Sequence, residues 1–232
     1  MIEMGPMAGP RLLRSTDPRR IGAYELLARL GEGGQGTVYL ARGADGVQVA
    51  LKLLRSEVVD DPRARRFLER ELVAVERVAS FCTARILAFH SDGDAPHLVS
   101  EYVAGPSLQE HVAESGPFAG AALTTLAIGT ATALAAIHEA GVVHRDFKPA
   151  NVLLGPDGPR VIDFGVARPL DATAATVSQA VGTPAYMSPE QLAGDRAGPP
   201  MDLFAWACTM VFAASGRLAF AGNTAPRSST AS

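Results

Sequence analysis

The sequence predicts an α+β fold of two unequal parts: a small antiparallel sheet of about five strands carrying one helix, then a mostly helical portion. Two observations carry this. Short β-branched and aromatic runs separated by turn residues fill the first hundred positions. After Gly105-Pro106 the pattern changes to longer apolar segments at helical spacing.

Tyr24 to Leu30 reads as the first strand and runs into a glycine cluster, after which Thr37-Val38-Tyr39-Leu40 resumes the strand pattern. Asp45-Gly46 is a hairpin signal, and Val47 to Leu53 follows as the third strand. Asp61 is a good N-cap and Pro62 suits the first helical position, where its missing N–H costs nothing. Phe67, Leu68, Leu72, Val75 and Val78 then recur at helical spacing through about Ala79. Ile86 to Phe89 and His97 to Val103 complete the sheet. Ser107 to Ala113 is a short helix, and Phe118 to Glu139 a long alanine-rich one. Val152 to Leu154 and Arg160 to Ile162 flank a Gly155-Pro156-Asp157-Gly158 turn. A last apolar helix spans about Asp202 to Ala214. These boundaries give a flexible extension over 1–20, a first lobe over 21–104, a second over 105–221 and a disordered Ser/Thr/Ala-rich tail over 222–232.

Composition narrows the class. With 47% hydrophobic and 19% charged residues the chain lies in the globular range. A net charge of −3 gives no electrostatic case for nucleic acid or an anionic membrane as the main partner. The two cysteines, Cys82 and Cys208, have no companion at metal-ligand spacing and read as buried thiols of a cytoplasmic protein. Met1 to Arg20 lacks the apolar segment of a signal peptide. Ser115 to Ile137 carries no charge, long enough to suggest a membrane span. Its Pro117, Gly116, Gly120, Gly129, threonines and alanines give little transfer energy, so it reads as a buried helix instead.

Gly31-Glu32-Gly33-Gly34-Gln35-Gly36 fits G-x-G-x-x-G, which alone is weak. In a dinucleotide-binding unit the glycines open a helix, and an acid follows about 20 residues on. Here strand formers follow, and the later position offers Val49-Ala50-Leu51-Lys52, whose cation suits phosphates rather than a ribose. A lysine in such an apolar run needs a partner. Glu71 is preferred over Glu69, which lies two residues round the same helix. The strongest signal is Val142-Val143-His144-Arg145-Asp146-Phe147-Lys148-Pro149-Ala150-Asn151-Val152, since nothing structural demands so many polar groups between an apolar helix and an apolar strand. Asp163-Phe164-Gly165 follows a predicted strand a dozen residues later, and Gly182-Thr183-Pro184-Ala185-Tyr186-Met187-Ser188-Pro189-Glu190 closes a long loop.

In this order the motifs resemble those of bacterial serine/threonine protein kinases, over about Tyr24 to Phe220. The resemblance implies a bilobal kinase fold and γ-phosphoryl transfer from ATP, with magnesium, or manganese as the alternative, onto protein hydroxyls. It assigns ATP to Leu30, Gly31, Gly33, Gly34, Gly36, Val38, Ala50, Lys52, Glu101, Val103 and Leu153, with Ser100 as a small residue at the back of the pocket. Lys52 and Glu71 pair, Asp146 takes or orients the substrate proton, Lys148 steadies the phosphoryl, and Asn151 and Asp163 hold the metal. Thr183 contacts Asp146 and Lys148. Arg145 implies control by loop phosphorylation, at Thr176 or Ser178 with Thr173 behind, and a second copy of the chain is the partner for autophosphorylation. Asp202 bonds the catalytic-loop backbone, Trp206 is core, and His90, His97, His111 and His138 receive no role. The resemblance also implies an incomplete helical lobe, whose Glu190 would lack its arginine partner. The alternatives are a nucleotide- or partner-binding module without turnover, and an aminoglycoside-type phosphotransferase, against which the 182–190 segment argues. A membrane anchor would have to come from a longer parent.

Overall fold

The computed structural model describes residues 9–33, 36–54, 62–75, 82–91, 95–163, 184–195 and 198–220. The first lobe is built from strands β1 (Arg20–Ile21), β2 (Tyr24–Gly33), β3 (Gly36–Arg42), β4 (Gln48–Leu54), β5 (Ile86–His90) and β6 (His97–Glu101), with helix α1 (Pro62–Val75) between β4 and β5. The sheet is antiparallel in the order β1-β2-β3-β4-β6-β5. The second lobe contains α2 (Leu108–Ser115), α3 (Gly120–Glu139), the hairpin β7 (Val152–Gly155) and β8 (Gly158–Val161), α4 (Pro189–Ala193) and α5 (Pro199–Ser215).

The registers assign the two faces of the sheet. Tyr39 pairs with Leu51 and Ala41 with Val49, and with Ile21, Leu26 and Val99 they form a core on one face. Alternation turns Val38, Ala50 and Lys52 to the opposite face, since Val38 is the cross-strand partner of Lys52. A second core continues from Leu54, Leu72 and Leu98 of the first lobe into Leu108, Leu134, Ile137 and Val161 of the second. The lobes are also stitched by backbone: Val161 N–H donates to Cys82 O at 2.9 Å, and Ala84 N–H donates to Val161 O at 3.1 Å. Gly105 follows β6 with φ +145°, and a Cβ there would overlap the carbonyl of Leu154, so the inter-lobe connection needs glycine.

Two expectations are corrected. The sheet has six strands rather than five. Residues 9–20, read as a flexible extension, lie against the first lobe: Arg20 and Ile21 form β1, Leu13 packs on the Tyr39 core, and Arg11 forms a bridge with Arg29. A two-residue strand has no periodicity to read, and the cause of the docking is a buried carboxylate whose side-chain partners lie beyond the segment. The 222–232 tail lies outside the described residues.

The charge-free segment is α3, which is long and apolar enough to cross a membrane by length and composition. Its buried residues Leu126, Thr130, Ala133, Leu134 and Ile137 follow helical spacing on one stripe. It packs against β8 and α5, where Trp206 Nε1 donates to Thr130 Oγ1 at 3.0 Å.

Candidate functional site

The loop between α3 and β7 is held by α5. Pro199 and Pro200 open α5 and place Asp202, 1% exposed, in its first turn. Asp202 Oδ2 accepts from His144 N at 2.7 Å and from His138 Nε2 at 2.8 Å, and Oδ1 accepts from Arg145 N at 2.8 Å. The carboxylate thereby satisfies two consecutive backbone donors and holds Arg145 at φ 63°. Left-handed backbone is costly for a side-chain-bearing residue, and the other described example is Asp163 at φ 58°.

His144 sits under the loop and joins these two strained positions. Its Nδ1 accepts from Asp146 N at 3.3 Å, so Nε2 must carry the proton it gives to Ile162 O at 3.1 Å. That network demands the neutral ring, and burial holds its pKa below the ordinary histidine range. Phe147, 1% exposed, meets the His144 ring edge-on at 5.4 Å and packs as expected in place of the commoner leucine.

Above this base the polar groups converge. Lys148 Nζ lies 2.9 Å from Asp146 Oδ2. Asn151 donates its amide to Asp146 O at 2.8 Å and to Oδ2 at 3.3 Å. From the sheet, Lys52 Nζ reaches across to Asp163 Oδ2 at 3.2 Å. Residues 111 positions apart in the chain and in different lobes therefore share one cleft, with Asp163 following β8 as Asn151 precedes β7.

The other assigned residues lie on the elements already described. Val38 and Ala50 share the face of Lys52, Ala50 is paired with Ser100, and Leu153 lies on β7 of the opposite lobe. Glu101 ends β6, its N–H donating to Arg85 O at 2.8 Å, and half-buried Val103 follows. Leu30 falls at an irregularity between Arg29 and Gly31, Gly31 and Gly33 end β2 beyond it, and Gly36 opens β3. Glu190 is half-buried in the first turn of α4. Glu69, the rival of Glu71, is bonded to Arg65 one turn back at 3.1 Å. The side chain of Glu71, and Gly34, Thr173, Thr176, Ser178 and Thr183 altogether, lie outside the described residues.

Three contributions escaped the sequence reading. His138 braces Asp202. Ser188, which stands where alanine is usual, caps α4 by accepting from Gln191 N at 3.2 Å, with proline at the next position. Gln191 in turn donates to Arg145 O at 3.2 Å, tying the helix to the loop between α3 and β7. Ser-Pro-Glu carried the signal for the cap, whereas His138 and Gln191 bond to groups far away in the chain. A shallow surface recess lies between Asp146, Lys148, Met187 and Gln191.

As a metal site the donor set is small and hard. With its amide hydrogens committed to Asp146, Asn151 has its carbonyl oxygen to offer, and Asp163 adds a carboxylate. Two protein oxygens fit a cation that keeps waters and takes further ligands from phosphate, as magnesium does. No cluster of three or more His, Cys, Asp or Glu side chains that could hold a metal by itself occurs among the described residues.

Comparison with known proteins agrees with this geometry. The family model described as protein kinase domain matches residues 24–231. The chain is 49% identical over 209 residues to the probable serine/threonine-protein kinase PkwA of Thermomonospora curvata, covering 90% of this chain and 28% of the relative. It is 49% identical over 212 residues to the serine/threonine-protein kinase AfsK of Streptomyces griseus, covering 90% and 26%. The chain thus spans about a quarter of the length of these curated relatives. Among solved structures, Rad53 1-466 in complex with AMP-PNP superposes with a TM-score of 0.71 at 26% identity, over 87% of this chain and 51% of that one. The Mycobacterium tuberculosis PknI kinase domain gives 0.70 at 26% identity, over 88% and 78%. The chain belongs to the protein kinase domain family, and the relatives it matches are serine/threonine protein kinases.

Proposed function

We propose that the chain is the catalytic domain of a serine/threonine protein kinase that uses ATP and magnesium, manganese being the alternative ion. The observation that carries this is the convergence of Lys52, Asp163, Asp146, Lys148 and Asn151 in one cleft, the Lys52–Asp163 contact of 3.2 Å spanning it. The glycine turn and Lys52 hold the phosphates, while Val38, Ala50 and Leu153 take the adenine. Asp146 orients the substrate hydroxyl and receives its proton. The hydroxyl oxygen forms a bond to the γ-phosphorus as the bond to the β–γ bridging oxygen breaks and ADP leaves. Lys148, 2.9 Å from Asp146, is placed to meet the charge that develops on the equatorial oxygens. When bound through Asn151 and Asp163, the metal supplies charge neutralisation of the β- and γ-phosphates. Loop autophosphorylation by a second copy, at Thr176 or Ser178 and paired with Arg145, is the regulation that accompanies this reading.

Transfer of labelled γ-phosphate to the chain itself or to a generic basic protein tests it. Asp146→Ala lowers transfer by at least about 10²-fold if Asp146 handles the proton. Undiminished transfer by that variant overturns the assignment.

A further inference from the structure

The chemistry above makes no use of the residues before β1, yet they bury a charge. The Asp17 side chain is 2% exposed. It accepts from Arg29 Nε at 2.7 Å and Nη2 at 2.6 Å, from Tyr39 OH at 2.9 Å and from Arg14 N at 2.7 Å. A carboxylate taken out of water needs such a complete set of donors, and the paired contacts of a guanidinium fix its plane as well as its position. Removing either partner would leave the other charge buried, so the arrangement is strongly specified.

Arg29 is where this cluster meets the nucleotide side. It lies two residues before Gly31, at the irregularity in β2, and exchanges backbone hydrogen bonds with Arg11, both 2.8 Å. Its remaining arm, Nη1, binds Glu32 Oε2 at 2.8 Å, and Arg14 Nη1 binds the same oxygen at 3.1 Å. Glu32 stands inside the glycine turn, between Gly31 and Gly33. Two guanidinium groups anchored on the N-terminal segment thus draw this carboxylate to their side. The glycine turn is costly to order because its residues have so much freedom to lose. A free Glu32 would also add a like charge beside a bound polyphosphate.

We propose that Arg11 to Asp17 form a strap that sets the position of the phosphate-binding turn, with Asp17 a positioning residue for ATP acting through Arg29 and Glu32. The proposal rests on the kinase reading of the site. The strap preorganises the turn and so contributes to nucleotide affinity rather than to the chemical step.

The test compares the chain with its Asp17→Asn, Arg14→Gln and Glu32→Gln variants, reading KM for ATP, KM for a peptide, kcat, Tm, and AMP-PNP binding by calorimetry. Asp17→Asn is expected to raise the ATP KM and the AMP-PNP Kd about three- to tenfold, leaving kcat and the peptide KM within about twofold. In the Glu32→Gln background the same substitution has no further effect on ATP, because the link it acts through is gone. An equal rise in both backgrounds, or a parallel loss of kcat and peptide affinity, overturns the strap. Arg14→Gln changes an exposed side chain and leaves the buried cluster intact, so it reports even if Asp17→Asn fails to fold. It is expected to raise the ATP KM about two- to fivefold, the range of an exposed ion pair, and no change overturns the strap. A wild-type chain that neither binds AMP-PNP nor transfers phosphate defeats the kinase reading. Wild-type binding equalled by Asp17→Asn and Arg14→Gln defeats the strap alone.

Discussion

Asp202→Asn probes how the loop between α3 and β7 is held, because the substitution keeps the size of the side chain and removes one acceptor and the charge. The aspartate serves three donors, two through Oδ2 and one through Oδ1. An asparagine oriented with its oxygen at the Oδ2 position keeps His144 N and His138, and turns its NH₂ on the N–H of Arg145. The reverse orientation loses two bonds, so the first is adopted. One hydrogen bond to a charged acceptor is lost and one buried N–H is orphaned, together about 2–4 kcal/mol. The Arg145 backbone, left-handed at φ 63°, then relaxes and carries the adjacent Asp146 with it. A shift of about 1 Å at a catalytic group costs on the order of 10²-fold in rate. Asp202→Ala would orphan all three donors at about 1–3 kcal/mol each, comparable to the whole stability of a domain, and is the less informative variant. Urea unfolding gives the stability change from the midpoint at constant m, and steady-state transfer gives kcat. A loss of about 2–4 kcal/mol with kcat down about 10²-fold and the ATP KM little changed is expected. A variant within about 0.5 kcal/mol of wild type and with kcat within threefold would show that the loop is held by something other than this carboxylate.

Two further outcomes follow from buried groups. The folded pKa of His144 lies below its ordinary value of 6.5 because of burial, so below that pH the unfolded chain takes up a proton the native chain refuses. The stability this group contributes is complete above about pH 6.5 and falls with falling pH, by at most about 1.4 kcal/mol per pH unit. NMR titration should show the His144 ring failing to protonate alongside a free imidazole; a ring that titrates normally refutes the neutral network. Trp206→Phe removes the donor to Thr130 Oγ1, whose own hydrogen goes to Leu126 O at 2.8 Å. The lost bond and the smaller ring cost about 1–3 kcal/mol, a fall of a few degrees in Tm, whereas an unchanged Tm would make the α3–α5 contact dispensable.

The legible parts of the fold are those whose cause is local. α1 begins at Pro62, a proline suited to a first helical position, and β3 and β4 meet around Asp45-Gly46 for an equally short-range reason. α5 begins at Pro199, three residues before the expected Asp202, though the Pro-Pro pair marked the start just as Pro62 did. The site was legible because its residues lie in ordered motifs; their meeting across the cleft was implied by resemblance, and the Lys52–Asp163 contact gives it a distance. What escaped depends on partners distant in sequence. Asp17 is explained only by Arg29 and Tyr39, 12 and 22 residues on, and His138 only by Asp202, 64 residues on. No periodicity or turn signal encodes such pairs.

Four aspartates show why residue type alone could not assign these duties. Asp17 and Asp202 are almost wholly buried, 2% and 1% exposed, and meet four and three donors. A carboxylate enclosed in that way is committed to the backbone and side chains it satisfies and has no capacity for a substrate. Asp146 and Asp163 have side chains 23% and 34% exposed, each with a lysine at 2.9 and 3.2 Å. That access leaves room for a proton or a metal to arrive. The buried pair therefore fixes the frame, one against Arg29 of β2 and one under the loop between α3 and β7, and the exposed pair stays accessible within it. Exchanging the environments, not the residues, is what would exchange the roles.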